Sequence, residues 1–295
     1  RYHASSESDK HDDIKKIASE SLRILAKTDV ISYLIDRLCE KDEVIHDELN
    51  MLFPYLGSDS LNALTARLKK EERLQARKHL IKAISLFGKS AIPHLKSHLS
   101  DKNIYFVRNI LTILGEIGAP ESIDMIKDFI NHKESLLKRE AIKALGKIDD
   151  PNAVAILIEL INSKNIEIVS TAISVLALKK EKEAEEKILT LMKRSPFLQR
   201  NIRVQLPAIL YLGTIGSTKA IPYIKNILMR KPWINKELRE QLRYEAAYAL
   251  GKIGGNGARE VLELAISKGD DRIARICSDV LKSLDRKAKE SEYAG

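Results

Sequence analysis

The stretch Glu140-Ala-Ile-Lys-Ala-Leu-Gly-Lys-Ile-Asp149 recurs, with few changes, as Asn109-Ile-Leu-Thr-Ile-Leu-Gly-Glu-Ile-Gly118 and as Glu245-Ala-Ala-Tyr-Ala-Leu-Gly-Lys-Ile-Gly254. Leu114-Gly115 and Leu145-Gly146 are separated by a step of 31 residues. A fixed internal period of this kind marks a chain built from stacked units, each too small to bury its own apolar face.

The step extends in both directions. It reaches Leu176-Ala177, links Leu250-Gly251 to Leu281-Lys282, and separates Tyr55-Leu56-Gly57 from Leu86-Phe87-Gly88. Inside one period Ile104, Val107, Ile110, Leu111, Leu114 and Ile117 recur at helical spacing, Gly118-Ala119-Pro120 interrupts, and Ile123, Met125, Ile126 and Phe129 resume. Gly118 suits the left-handed position that closes a helix, and Pro120 suits the first turn of the next, where a missing N–H costs nothing. The pattern predicts first helices near 12–27, 42–56, 71–87, 102–117, 134–148, 165–178, 198–215, 235–253 and 270–285. With second helices in the gaps, the expected fold is an all-α solenoid, a right-handed superhelix of about eight helical hairpins plus a final helix. The expected domains are a linker or disordered segment at 1–11, the solenoid at 12–285 and a flexible tail at 286–295.

Composition agrees with helices that bury one stripe: 44% of the 295 residues are hydrophobic, only 5% are aromatic and 31% are charged. Cys39 and Cys277 sit in no metal or disulfide spacing, which reads as two buried thiols in a reducing, cytoplasmic setting. Apolar stretches such as Val154 to Ile161 are broken by charge well short of the about 18 residues a membrane span needs. The start, Arg1-Tyr2-His3-Ala4, has no signal-peptide core, and the expectation is a module cut from a longer polypeptide.

The Ala-Leu-Gly-Lys-Ile-Gly run, with Val107-Arg108, Lys138-Arg139 and Leu242-Arg243 upstream, resembles the bacterial HEAT-like repeats related to phycobilin lyases over roughly residues 40–285. The resemblance implies a superhelical scaffold whose second helices usually line the concave side and bind other proteins. It names neither partner nor reaction. Leu176-Ala177-Leu178-Lys179-Lys180 lacks both glycines, and Leu206-Pro207 stands where a basic residue is expected, so stacking near 178–207 should be irregular.

Two steps are long: Ala177 to Gly213 takes 36 residues and Gly213 to Gly251 takes 38. The inserted segments Lys193-Arg-Ser-Pro-Phe-Leu-Gln-Arg200 and Met229-Arg-Lys-Pro-Trp-Ile-Asn-Lys236 both combine basic residues, a proline and an aromatic. Residues 193–243 hold eleven Lys/Arg against Glu237 and Glu240, net +9, while residues 1–60 are net −5. A basic band of this kind attracts anionic partners unless it is an ordinary solvated solenoid surface. The candidate partner-binding residues are Arg194, Phe197, Arg200, Arg203, Arg230, Lys231, Trp233 and Arg239. Trp233 fits either packing beneath its loop or an exposed anchor.

Chemistry-bearing motifs are missing: there is no GxSxG, HExxH or GxxxxGK, and Gly254-Gly255-Asn256-Gly257 follows no strand. His94 and His98 share a helix face without an evident third ligand. No catalytic residue, cofactor or metal is expected. The leading reading is a non-enzymatic scaffold for a protein partner with an acidic surface, with no membrane insertion. The alternative is nucleic-acid binding through residues 193–243, since alkylpurine DNA glycosylases use a similar solenoid. Chromophore attachment in the manner of phycobilin lyases has only the repeat to support it.

Overall fold

The computed structural model describes residues 28–40, 46–194, 202–231 and 236–293, with side chains given except at 194 and 287–293. Every regular element among these residues is helical. The chain divides into two compact units, Arg1–Asp149 and Asp150–Gly295.

The first unit contains α1 (Thr28–Leu38), α2 (His46–Leu52, continued by the 3-10 turn Phe53–Leu56), α3 (Ser58–Lys70), α4 (Leu74–Ser85), α5 (Ile92–Ser97), α6 (Ile104–Ile117), α7 (Ile123–Lys127) and α8 (Ser135–Lys147). The second contains α9 (Pro151–Leu160), α10 (Ile166–Lys179), α11 (Glu185–Arg194), α12 (Ile202–Thr214), α13 (Ile221–Met229), α14 (Lys236–Ile253), α15 (Gly255–Lys268) and α16 (Asp271–Tyr293). The predicted first helices correspond to α2, α4, α6, α8, α10, α12, α14 and α16. The one expected at 12–27 lies outside the described residues, and α16 runs past its expected end at 285 to Tyr293. The α-solenoid of helical hairpins is therefore the observed architecture.

Helix α6 shows why each boundary falls where it does. Asn103 Oδ1 accepts the otherwise orphaned N–H groups of Tyr105 at 3.1 Å and Phe106 at 3.2 Å, starting the helix. Phe106, Val107, Ile110, Leu111 and Leu114 then bury one stripe. Gly118 ends it at φ 68°, donating its N–H to the Leu114 carbonyl, and Pro120 opens the following 3-10 turn. Two periods on, Asn165 caps α10 in the same way, at 2.9 Å from the Glu167 N–H. Its corner differs: Lys180 occupies the Gly118 position at φ 59°, a left-handed conformation that costs a side-chain-bearing residue about 1 kcal/mol.

The glycine of the Leu-Gly pair has a separate task. A Cβ on Gly115 would stand 2.8 Å from the Ala144 Cα, and one on Gly213 would stand 2.9 Å from the Ala249 Cα. Successive first helices approach to near backbone contact there, while Leu114, Leu145, Leu176, Leu212 and Leu250 fill the core beside them. Burial of a leucine contributes about 2 kcal/mol.

Ion pairs between neighbouring hairpins repeat the period. Arg67 reaches Asp36 at 2.8 Å across 31 residues, Lys89 reaches Glu121 at 2.7 Å across 32, and Lys147 reaches Glu116 across 31. In the second unit Lys219 meets Glu186. Exposed pairs of this kind contribute about 0–1 kcal/mol each, so they record the stacking register more than they create it.

Candidate functional site

The eight residues predicted from sequence divide evenly. Phe197, Arg200 and Trp233 lie outside the described residues, as does the side chain of Arg194 at the end of α11. Arg203 is exposed on α12, Arg230 and Lys231 are exposed just beyond α13, and Arg239 is half-buried on α14.

Part of the basic band is turned inward. Arg243, counted in that band, is only 2% exposed. Its Nε donates to the Leu228 carbonyl at 2.8 Å, and its guanidinium pairs with Glu240 and Asp270, each at 2.9 Å. The arrangement holds the Asp270 carboxyl below its usual range despite burial, through the Ile273 N–H and Arg243. This corrects the alignment of Leu242-Arg243 with Val107-Arg108. Counted back from the Leu-Gly glycine, Arg243 stands one residue earlier than Arg108 and Arg139, which turns it from the surface into the core. Lys219 is likewise engaged by Glu186, and the Lys193 ammonium lies 5.6 Å from the Tyr223 ring centroid.

A second feature lies in the regular repeats, outside the basic band. Leu74, Arg77, Lys78, Ile81, Lys82 and Ser85 of α4 face Arg108, Asn109, Thr112 and Glu116 of α6 across a groove of about 500 Å³. Arg77 is oriented by two backbone carbonyls, those of Glu72 at 2.7 Å and Glu71 at 3.4 Å. Arg108 lies 3.6 Å from Glu140, whose other oxygen accepts the Thr112 hydroxyl at 2.7 Å. The groove combines aliphatic walls with guanidinium donors. It can hold a carboxylate-bearing chain by charge-assisted hydrogen bonds.

The two thiols and His94 are packed among their neighbours. Burial raises the thiol pKa of Cys39 and pushes Cys277 up to about 11, far from a reactive thiolate. Burial, followed by the neighbouring His98, lowers the His94 pKa; its Nε2 is 3.1 Å from the Thr65 hydroxyl, and the two imidazoles meet edge-on at 4.8 Å. Among the described residues no three His, Cys, Asp or Glu side chains gather as metal ligands, and no helix is long and apolar enough to cross a membrane.

Residues 92–177 match the model for HEAT repeats, and residues 242–267 match that for the PBS lyase HEAT-like repeat. The chain carries HEAT-like repeats. Its fold is similar to that of the Escherichia coli protein YibA, at 15% identity and a TM-score of 0.50, covering 97% of this chain and 99% of that one. The complex of CpcE and CpcF of phycocyanin lyase from Nostoc sp. PCC7120 is 19% identical, with a TM-score of 0.45, over 64% of this chain and 75% of that one. Human deoxyhypusine hydroxylase in complex with glycerol is 16% identical, with a TM-score of 0.34, over 82% and 99%. No curated protein sequence matches the chain. At these identities the likeness extends to the HEAT-repeat fold alone.

Proposed function

We propose that this chain is a non-enzymatic scaffold that binds another protein through its HEAT repeats, as one module of a larger polypeptide or complex. The observation that carries the reading is the groove between α4 and α6, where cationic and aliphatic side chains share one solvent-facing surface held by closely stacked helices. Rigid presentation of such a surface lowers the ordering cost of binding. The exposed cations Arg203, Arg230 and Lys231 extend the same chemistry to the second unit and favour a partner with an acidic surface.

Affinity capture on the immobilised full chain tests this reading, with captured proteins measured for stoichiometry and for competition by salt. A stoichiometric protein partner retained by the wild type is the expected result. Its loss in Arg230→Ala/Lys231→Ala/Trp233→Ala, with unchanged thermal unfolding, would assign it to the basic joint, and its retention would move the contact to the first unit. Duplex DNA is the competing ligand because residues 193–243 carry net +9. A salt-sensitive mobility shift of duplex DNA at nanomolar protein, without a protein partner, would replace the scaffold reading with nucleic-acid binding.

A further inference from the structure

Three arginines stand at one position of three successive first helices: Arg77 on α4, Arg108 on α6 and Arg139 on α8, each 31 residues from the next. Arg77 and Arg108 line the same groove, and Arg139 is exposed one register step beyond. The walls follow the same periodicity. Leu74, Tyr105 and Leu136 form the row on one side, and Ile81, Thr112 and Lys143 form the row on the other. Leu74 and Tyr105 are 60% and 66% exposed, which is high for large apolar side chains on regular helices.

Charge on these helices is one-sided. Across α4, α6 and α8 the acidic residues are Glu116 and Glu140, against Arg77, Lys78, Lys82, Arg108, Lys138, Arg139, Lys143 and Lys147. Glu116 is engaged by Lys147, and Glu140 is buried under Arg108 and Thr112. The three guanidinium groups thus stand among apolar and lysine side chains, with Arg108 held by Glu140 and Lys82 by Asp47.

We propose that this arginine ladder binds an acidic segment of a partner protein lying across α4, α6 and α8 in an extended, polyproline-II-like conformation, with a carboxylate at every third residue. The proposal rests on the scaffold reading and names its partner chemistry. Axes of packed helices are about 8–10 Å apart, which sets the ladder's rung spacing. A polyproline II chain has three residues per turn and rises about 3.1 Å per residue, so every third side chain returns to one face after about 9 Å. Each guanidinium can then take one carboxylate, while the residues between rest on Leu74, Tyr105 and Ile81. The row occupies one position on each of three helices and so selects a narrow extended chain over a broad acidic surface.

The test uses the full chain and a fluorescein-labelled peptide of about twelve residues with glutamate at every third position and proline or alanine between. An isomer of the same composition with its glutamates contiguous is the control. The spaced peptide should bind at least about tenfold more tightly than its isomer, and Arg77→Gln, Arg108→Gln and Arg139→Gln should each weaken it by about tenfold. Because Arg108 also touches Glu140, Arg108→Lys keeps the fold testable and should still lose affinity, as a single ammonium cannot reproduce the fork. Equal affinity for both isomers, or equal affinity for a duplex DNA of matched charge, would overturn the ladder. So would undiminished peptide binding by the folded Arg77→Gln/Arg139→Gln chain. A captured partner lost only in the Arg230/Lys231/Trp233 variant would also overturn the ladder and leave the scaffold reading standing.

Discussion

Two buried ions of opposite sign, Glu71 between α3 and α4 and Arg243 on α14, hold neighbouring helices in different ways. In the first, the Glu71 carboxylate, 5% exposed, accepts the Arg73 backbone N–H at 3.0 Å, both Arg73 guanidinium contacts at 2.9 Å and Arg67 Nε at 3.2 Å. All of its partners lie within four residues. In the second, Arg243 reaches back 15 residues to the Leu228 carbonyl and forward to Asp270 at the start of the last helix. Glu71 is held by residues close to it in sequence, whereas Arg243 ties the end of α13 to the start of α16.

That contrast is broken most severely at Arg243. Arg243→Ala should remove about 3 kcal/mol of stability by stranding Glu240 and Asp270, and thermal unfolding should show the loss falling on the second unit. A melt within experimental error of wild type would mean that α13, α14 and α16 hold together without this buried cation.

Next comes the helix contact that the regular repeats depend on. Gly115→Ala should cost about 1–3 kcal/mol, because its Cβ meets the Ala144 backbone, even though alanine is the better helix former. Ala177, at the same register, already carries that Cβ. Ala177→Gly should therefore lower stability by about 1 kcal/mol, through helix propensity alone. Equal effects at the two positions would show that the two repeats stack alike.

Glu71→Gln should cost about 1–2 kcal/mol at neutral pH, allowing for its half-exposed arginine partners. Hydrogen bonds from Arg73 lower its pKa from 4.5 to about 2. A depressed folded value means the contribution is fully present above the unfolded pKa and is lost as pH falls from about 4.5 towards 2. Wild type and Glu71→Gln should converge in stability across that window, as read by urea unfolding. The smallest effect is expected at Lys180→Gly, which should stabilise the chain by about 0.5–1 kcal/mol by relieving φ 59°, giving that corner the residue the regular repeats use.

Helix placement was legible because its signals are local. Asn103, Gly118 and Pro120 announce their own backbone tasks, and the period carries them along the chain. Close approach at Gly115 was not, because the atom it avoids belongs to Ala144 on the next first helix. Window charge drew attention to 193–243 but cannot distinguish an outward cation from Arg243, which a one-residue offset turns into the core. The arginine row escaped for the reverse reason. One arginine per period leaves no local excess, and only stacking collects the three.

Ion pairs such as Asp36–Arg67, Lys89–Glu121 and Glu116–Lys147 each join a hairpin to the one beside it. A chain wired between neighbours can be lengthened or shortened by whole periods without redrawing its core, since each added hairpin meets the surface its predecessor already offered. The arginine row would then grow with the gene: duplicating the period that carries Arg108 would add a fourth arginine, making the length of that row a quantity that selection can count.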